Sequence, residues 1–142
     1  MVSRGLPEAI SIIALSAKET MHCPRQFVYM NKIVIGPDTK DYMDINALMA
    51  ENLNNIARAK KRKVSELTVV VSDRSRHEQL ISDISGAGVR VEFISDGDVP
   101  ASIDAALPER EVNALMGVGG KPEGIFSVAA IHYIRSGIQC KA

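Results

Sequence analysis

Short apolar strands alternate with helical segments through the second half of the chain, and this alternation constrains the fold more than any other feature. Strands are predicted at Leu67–Val71, Val89–Ile94 and Ala114–Val118. Helices are predicted around them because apolar residues there recur at helical spacing, with Asp44 as the first N-cap and Pro122–Arg135 as the last helix. Such alternation produces largely parallel sheets with right-handed crossovers, so residues 44–142 are predicted to form βαβ units.

The first 43 residues are predicted to add an antiparallel strand pair. Ala9–Leu15 is an almost wholly apolar run, and Phe27–Ile35 is a second strand that Gly36 and Pro37 end. No crossover helix separates the two runs, although their linker is longer than a tight hairpin. The predicted fold class is therefore α/β, with this antiparallel pair followed by alternating βαβ units in a single domain of 142 residues.

The charge balance argues against nucleic acid and anionic membranes as partners. Lysine plus arginine and aspartate plus glutamate are both 17, so the formal net charge is zero. The run Lys60–Lys63 could bind nucleic acid but is more typical of a solvated helix C-terminus. Cys23 and Cys140 form no disulfide framework, and the sequence has no signal peptide or long apolar run, so a cytoplasmic location is expected.

Three polar segments directly follow predicted strands, and they are Arg74-Ser75-Arg76, Asp96-Gly97-Asp98 and Gly119–Glu123. Because the carboxyl ends of parallel strands share one edge of a sheet, these segments are predicted to converge on one crevice. The two arginines could grip a phosphate, or form a surface turn that Ser75 caps. The aspartates could bind a metal or sugar hydroxyls, although an Asp-Gly turn with Asp98 as helix cap is slightly favoured.

The stretch Ala114–Ile125 is predicted to be a strand, a glycine turn and a helix, and a ligand-binding role is favoured over a purely structural one. Glycine permits positive φ and close approach of a ligand, and Pro122 suits the first helical position. Pro122 also breaks a dinucleotide fingerprint, and no Lys-Ser/Thr pair completes a phosphate loop. Glu123 could bind a metal, but complementing the helix dipole is favoured on pattern alone.

Tyr29 lies on an apolar strand, where a core position is favoured over contact with a ligand. Of the three histidines, His77 lies beside the arginine turn, and His22 and His132 have no partners at ligand spacing. Neither a zinc site, a Cys-His pair nor a serine nucleophile elbow is therefore predicted, and no catalytic residue is assigned.

Several segments together resemble the class II fructose-1,6-bisphosphatases, many of which also hydrolyse sedoheptulose-1,7-bisphosphate. The matching segments are Val69–His77, Ile94–Val99, Met116–Gly124, Gly5–Ile10 and Tyr29–Ile33. They occur in the same order and at similar spacing over nearly the whole chain. The resemblance implies the layered α/β architecture of the lithium-sensitive sugar phosphatases. It also implies Mn²⁺- or Mg²⁺-assisted removal of the C1 phosphate of fructose-1,6-bisphosphate.

The resemblance also assigns roles. Glu123 corresponds to a metal ligand, and Gly120 to a position where the backbone approaches substrate. The remaining residues correspond to substrate contacts: Tyr29, the turn Arg74-Ser75-Arg76, which we infer to bind phosphate, and the sugar-binding turn Asp96-Gly97-Asp98.

The sequence departs from the family pattern at both ends. The upstream aspartate, glutamate and Asp-Pro-x-Glu/Asp-Gly-Thr motif that supply most metal ligands are absent, and the family continues beyond the equivalent of Gln139. The expectation is a central piece of the enzyme, with residues 1–43 from its first half and 44–142 binding sugar phosphate. This piece is expected to be inactive without an N-terminal fragment and to self-associate. The alternative is a non-catalytic relative that binds a sugar phosphate or another protein.

Overall fold

The computed structural model describes residues 12–20, 29–72, 75–95 and 97–141. No helix in these ranges is long and apolar enough to cross a membrane. The described strands are β1 (Tyr29–Ile35), β2 (Thr68–Ser72), β3 (Arg90–Ile94), β4 (Ala114–Gly120) and β5 (Gly137–Lys141). The α-helices are α1 (Met49–Ala59), α2 (Glu78–Gly86), α3 (Asp98–Ala106) and α4 (Lys121–Tyr133).

The five strands form one sheet in the order β3-β2-β4-β1-β5. β2 pairs in parallel with β3 and β4, whereas β1 is antiparallel to both β4 and β5. Among the described strands, β1 therefore runs against the other four. This arrangement confirms the predicted α/β class with a largely parallel sheet.

Helices cover both faces of the sheet. Successive strand residues point to opposite sides, and because both sides carry apolar residues, both need to be covered. One face packs against α1 and α2, with a core that includes Ile35, Leu53, Ile56, Val71, Ile84 and Met116. The other face packs against α3 and α4, with a core of Val34, Val70, Ala105, Ala106, Leu115 and Ile131. The result is a three-layer sandwich.

The predicted N-terminal strand pair is wrong in the described part of the chain. Residues 9–11 lie outside the described ranges, but residues 12–15 form no strand, and Ile13 and Leu15 are exposed. β1 instead finds its antiparallel partners in β4 and β5. β5 has no clear signal in the sequence, because it is short and half-buried and lacks a β-branched run.

The prediction that Asp44 caps the first helix is also wrong. α1 begins at Met49, and the loop before it is fixed by Asn52, whose side chain bonds both the backbone N–H and the carbonyl of Asp44. The Asp44 carboxylate accepts from the Asn46 N–H, which favours a turn rather than a helix start. The prediction that the first helix runs into Lys60–Lys63 at its C-terminus is confirmed for the start of this run, since Lys60 is the C-cap of α1. Lys60 also pairs with Asp38 at 2.8 Å.

Candidate functional site at the carboxyl ends of the strands

A cleft of about 420 Å³ lies where β2, β3 and β4 end and β1 begins. It is lined by Tyr29, Ser72, Arg76, Gly97, Asp98, Val118, Gly119, Gly120, Pro122 and Glu123. The lining includes residues from all three polar segments that were predicted to converge, together with Tyr29, Ser72 and Val118. The predicted crevice is therefore confirmed for its described members.

Two of the predicted site residues, Arg74 and Asp96, lie outside the described ranges. Ser75 belongs to a short 3-10 turn with Arg76 and His77, but its side chain also lies outside the described part. The binding roles of these three residues therefore remain predictions from the resemblance.

The predicted glycine turn is instead the end of a strand. β4 continues to Gly120, α4 begins at Lys121, and Pro122 is the second helical residue rather than the first. Space rather than positive φ explains the glycine at position 119, because a Cβ there would lie 2.7 Å from Asp98 Oδ2. Gly119 thus lets the Asp98 carboxylate lie directly against the strand.

Arg76 and Tyr29 form one wall of the cleft. Arg76 Nη2 donates to the Val118 carbonyl at 3.1 Å, and its guanidinium carbon lies 5.0 Å from the centre of the Tyr29 ring. This distance is typical of a cation–π contact. Tyr29 is 55% exposed, so the prediction that it occupies the core is wrong. The pair presents a planar cation that is held in place but still open to solvent.

Asp98 is the most constrained polar side chain of the cleft. Its Oδ2 accepts from Lys32 Nζ at 2.9 Å, and its Oδ1 accepts from Ser72 Oγ at 3.0 Å. The prediction that Asp98 caps α3 is wrong. Asp98 is the first residue of α3, and the N-cap position is occupied by Gly97, with φ 85° and no side-chain cap bond. The Asp98 carboxylate therefore accepts hydrogen bonds from side chains of β1 and β2 and does not cap the N-terminus of α3.

His77, which was not among the predicted site residues, is buried beside the cleft. Its Nε2 accepts from the Val118 N–H at 2.8 Å, and its Nδ1 lies 2.7 Å from the Ser72 carbonyl. A carbonyl can only accept, so the partners assign the neutral tautomer with the proton on Nδ1. The imidazole therefore bridges β2 and β4 beyond Val71 and Met116, where their direct pairing ends.

Two sequence signals accompany these unassigned residues. Lys32 interrupts an apolar strand, and a charge within a buried strand requires a partner. Gly117 allows His77 to approach, since a Cβ at that position would lie 3.2 Å from His77 Cε1. Neither signal names the partner, because the contacts join segments far apart in the sequence.

Cys140 lies opposite Lys32 in the β1–β5 pair. Although Cys140 is exposed, the protein groups packed around it partly desolvate its thiol and raise the pKa above its ordinary value. The nearby Lys32 charge lowers this pKa by a smaller amount. A raised thiol pKa leaves little thiolate at neutral pH, which disfavours a nucleophilic role for this cysteine.

Glu123 lies in the first turn of α4 and is exposed at the cleft. The second described carboxylate of the cleft, Asp98, already accepts from an ammonium group. Within the described ranges, no group of three or more His, Cys, Asp or Glu side chains could hold a metal ion. The described residues therefore do not fit a complete divalent-metal centre.

The fold and the cleft together define a class: an α/β protein with a polar crevice at the carboxyl ends of its parallel strands. Comparison with known proteins narrows this class. The chain matches the family model of bacterial, glpX-encoded fructose-1,6-bisphosphatases over residues 1–142. This chain belongs to that family.

Curated relatives agree with the family match. The chain is 41% identical over 131 residues to the D-fructose 1,6-bisphosphatase class 2/sedoheptulose 1,7-bisphosphatase of Microcystis aeruginosa, covering 92% of this chain and 38% of that protein. It is 40% identical over 132 residues to fructose-1,6-bisphosphatase 1 class 2 of Escherichia coli K12, covering 92% of this chain and 39% of that protein. The chain thus spans well under half the length of these relatives.

Proposed function

We propose that this chain supplies the sugar-phosphate-binding part of a class II fructose-1,6-bisphosphatase site. The reaction is hydrolysis of the C1 phosphate of a sugar bisphosphate. The observation that carries this proposal is that Arg76, Asp98 and Glu123, which follow three different strands, meet in one cleft beside Tyr29. Membership of the family supports the assignment of substrate class.

Each side chain suits one part of such a substrate. Arg76 retains N–H donors beyond the one given to Val118, and a guanidinium pairs well with phosphate oxygens. Asp98 can accept from sugar hydroxyls, and Gly120 lets the backbone come close to the ligand. Tyr29 closes the side of the cleft under Arg76. Arg74, Ser75, Asp96 and Gly97 complete the proposed substrate contacts.

The proposed metal is Mn²⁺ or Mg²⁺, with Glu123 as one ligand. Such an ion neutralises charge on a phosphoryl group and activates water. One carboxylate does not hold an ion firmly, so the remaining ligands must come from outside the described residues. We propose an N-terminal complementing polypeptide as their source. Exposed Ile13 and Leu15 support self-association of the chain alone.

Fructose-1,6-bisphosphate is expected to bind this chain weakly and through Arg76. Titration followed by ¹⁵N NMR should shift the amides of Gly119 and Gly120. Arg76→Gln should weaken binding by about 10- to 150-fold, because a charge-assisted hydrogen bond contributes about 1.5–3 kcal/mol. Arg90→Gln is the matched control, since Arg90 is exposed at the opposite end of β3. Equal affinities for both variants would exclude the cleft as the binding site.

The isolated chain is expected to release no phosphate from fructose-1,6-bisphosphate above the buffer rate, with Mn²⁺ or Mg²⁺ present. The physical reason is that the described residues around Glu123 supply too few carboxylates to hold a metal ion. A phosphate-release assay measures this directly. Turnover at an ordinary enzyme rate of about 1–10³ per second would contradict the proposed division of the site.

Binding without hydrolysis would also fit a non-catalytic relative, which the same shortage of ligands favours. An upstream reading frame that encodes the acidic motifs distinguishes the two. Its polypeptide should restore phosphate release when mixed with this chain. Failure to restore it would favour the non-catalytic alternative.

A further inference from the structure

Lys32 is a lysine buried in the protein interior, with only 1% of its side chain exposed. It lies on β1, on the face covered by α3 and α4. Its Nζ donates to Asp98 Oδ2 at 2.9 Å and to Ser102 Oγ and Ser127 Oγ at 3.3 Å each. An ammonium has three protons, and all three have protein acceptors here.

The two serines complete a closed network. Ser127 Oγ donates to Ser102 Oγ at 3.2 Å, and Ser102 Oγ donates to the Asp98 carbonyl at 2.6 Å. Every hydroxyl therefore both donates and accepts, and no buried side-chain polar atom in the described part lacks a partner. Such a satisfied network holds its members in one arrangement.

The network acts on the cleft through Asp98. The Asp98 side chain is 18% exposed and lines the cleft, whereas Lys32 does not line it. Lys32 therefore cannot contact a ligand itself. It balances the charge of Asp98 and, together with Ser72, fixes the orientation of the carboxylate.

We infer that Lys32 is a positioning residue, which holds Asp98 as a charge-balanced acceptor for ligand hydroxyls. This inference rests on the proposed function for the identity of the ligand. A charge-balanced carboxylate repels a phosphorylated ligand less than a lone one. The adjacent ammonium also repels a divalent cation. We therefore expect Asp98 to accept hydrogen bonds from ligand hydroxyl groups and Glu123 to bind the metal ion.

The test compares two ligands and two lysines. Lys32→Met should weaken fructose-1,6-bisphosphate binding by about tenfold but change the affinity for inorganic phosphate by less than about twofold. Lys60→Met is the matched control, because Lys60 also pairs with an aspartate, Asp38, but lies outside the cleft. It should change neither affinity. Parallel losses for both ligands in Lys32→Met would show a merely structural role and overturn the inference.

A double-variant cycle tests the route through Asp98. Asp98→Asn should weaken sugar binding, and adding Lys32→Met should weaken it little further. Additive losses would show that Lys32 acts by another route. If Lys32→Met does not fold, Ser127→Ala removes one acceptor of the ammonium and should cause a smaller loss of the same kind.

A spectroscopic readout needs no ligand and separates this inference from the proposed function. The protein is labelled with ¹³C-aspartate and measured at neutral pH. The carboxyl resonance of Asp98 should shift in Lys32→Met, or in Ser127→Ala if that variant is used. It should stay unchanged in Lys60→Met. An unchanged Asp98 resonance overturns the positioning role. A shifted resonance without any sugar-bisphosphate binding by the unaltered chain supports the positioning of Asp98 and contradicts the proposed function.

Discussion

Replacing His77 with alanine is expected to destabilise the protein by about 3–5 kcal/mol, a large part of the stability of a small domain. The imidazole is fully buried and satisfies the Val118 N–H and the Ser72 carbonyl. Alanine leaves both groups unpaired and opens a cavity between β2 and β4. Urea denaturation measures the effect, and the midpoint should fall by about 2 M.

His132→Ala is the matched control for this experiment. His132 lies in the last turn of α4 and is exposed, so its removal should change the stability by less than about 0.5 kcal/mol. His77→Gln keeps one donor and one acceptor and should recover part of the loss. Equal midpoints for the two alanine variants would contradict the bridging role of His77.

Gly119→Ala is expected to cost about 2–4 kcal/mol and to weaken sugar-bisphosphate binding at the same time. The added Cβ would meet Asp98 Oδ2 at 2.7 Å, so the carboxylate has to move away from the buried Lys32 ammonium. Thermal or urea unfolding measures the first effect, and the NMR titration measures the second.

Gly86→Ala provides the comparison, since a Cβ there meets nothing within 4 Å and Gly86 is the last residue of α2. It should leave the protein as stable as before or stabilise it by up to about 1 kcal/mol. A Gly119→Ala variant with the same stability as Gly86→Ala would show that the carboxylate moves without cost.

Periodicity located the strands and helices well where a segment has its own local pattern. The runs around Val69, Val91 and Leu115 became β2, β3 and β4, and their shared edge followed from the parallel arrangement alone. Local pattern does not decide pairing, however. Ile12–Leu15 is as apolar as a buried strand yet lies exposed, while the β5 segment pairs with β1 without a strong strand signal.

The sequence was sufficient to predict which segments meet at the site. It was not sufficient to predict which side chains form hydrogen bonds with one another. Spacing placed Arg76, Asp98 and Glu123 at one edge of the sheet. The partners of Asp98 come from β1 and β2, and those of His77 come from β2 and β4. Such long-range hydrogen bonds depend on register, which hydrophobic periodicity does not specify when the pairing partner is unknown.

The reversed direction of β1 has a consequence for how the cleft forms. Its first residue, Tyr29, pairs with Gly120, the last residue of β4, so the two sides of the cleft come from distant parts of the chain. Contacts of such high sequence separation require a large loop to close and therefore form slowly. β1 also carries Lys32, so a single local opening of this strand would remove both the Tyr29 wall and the support of Asp98.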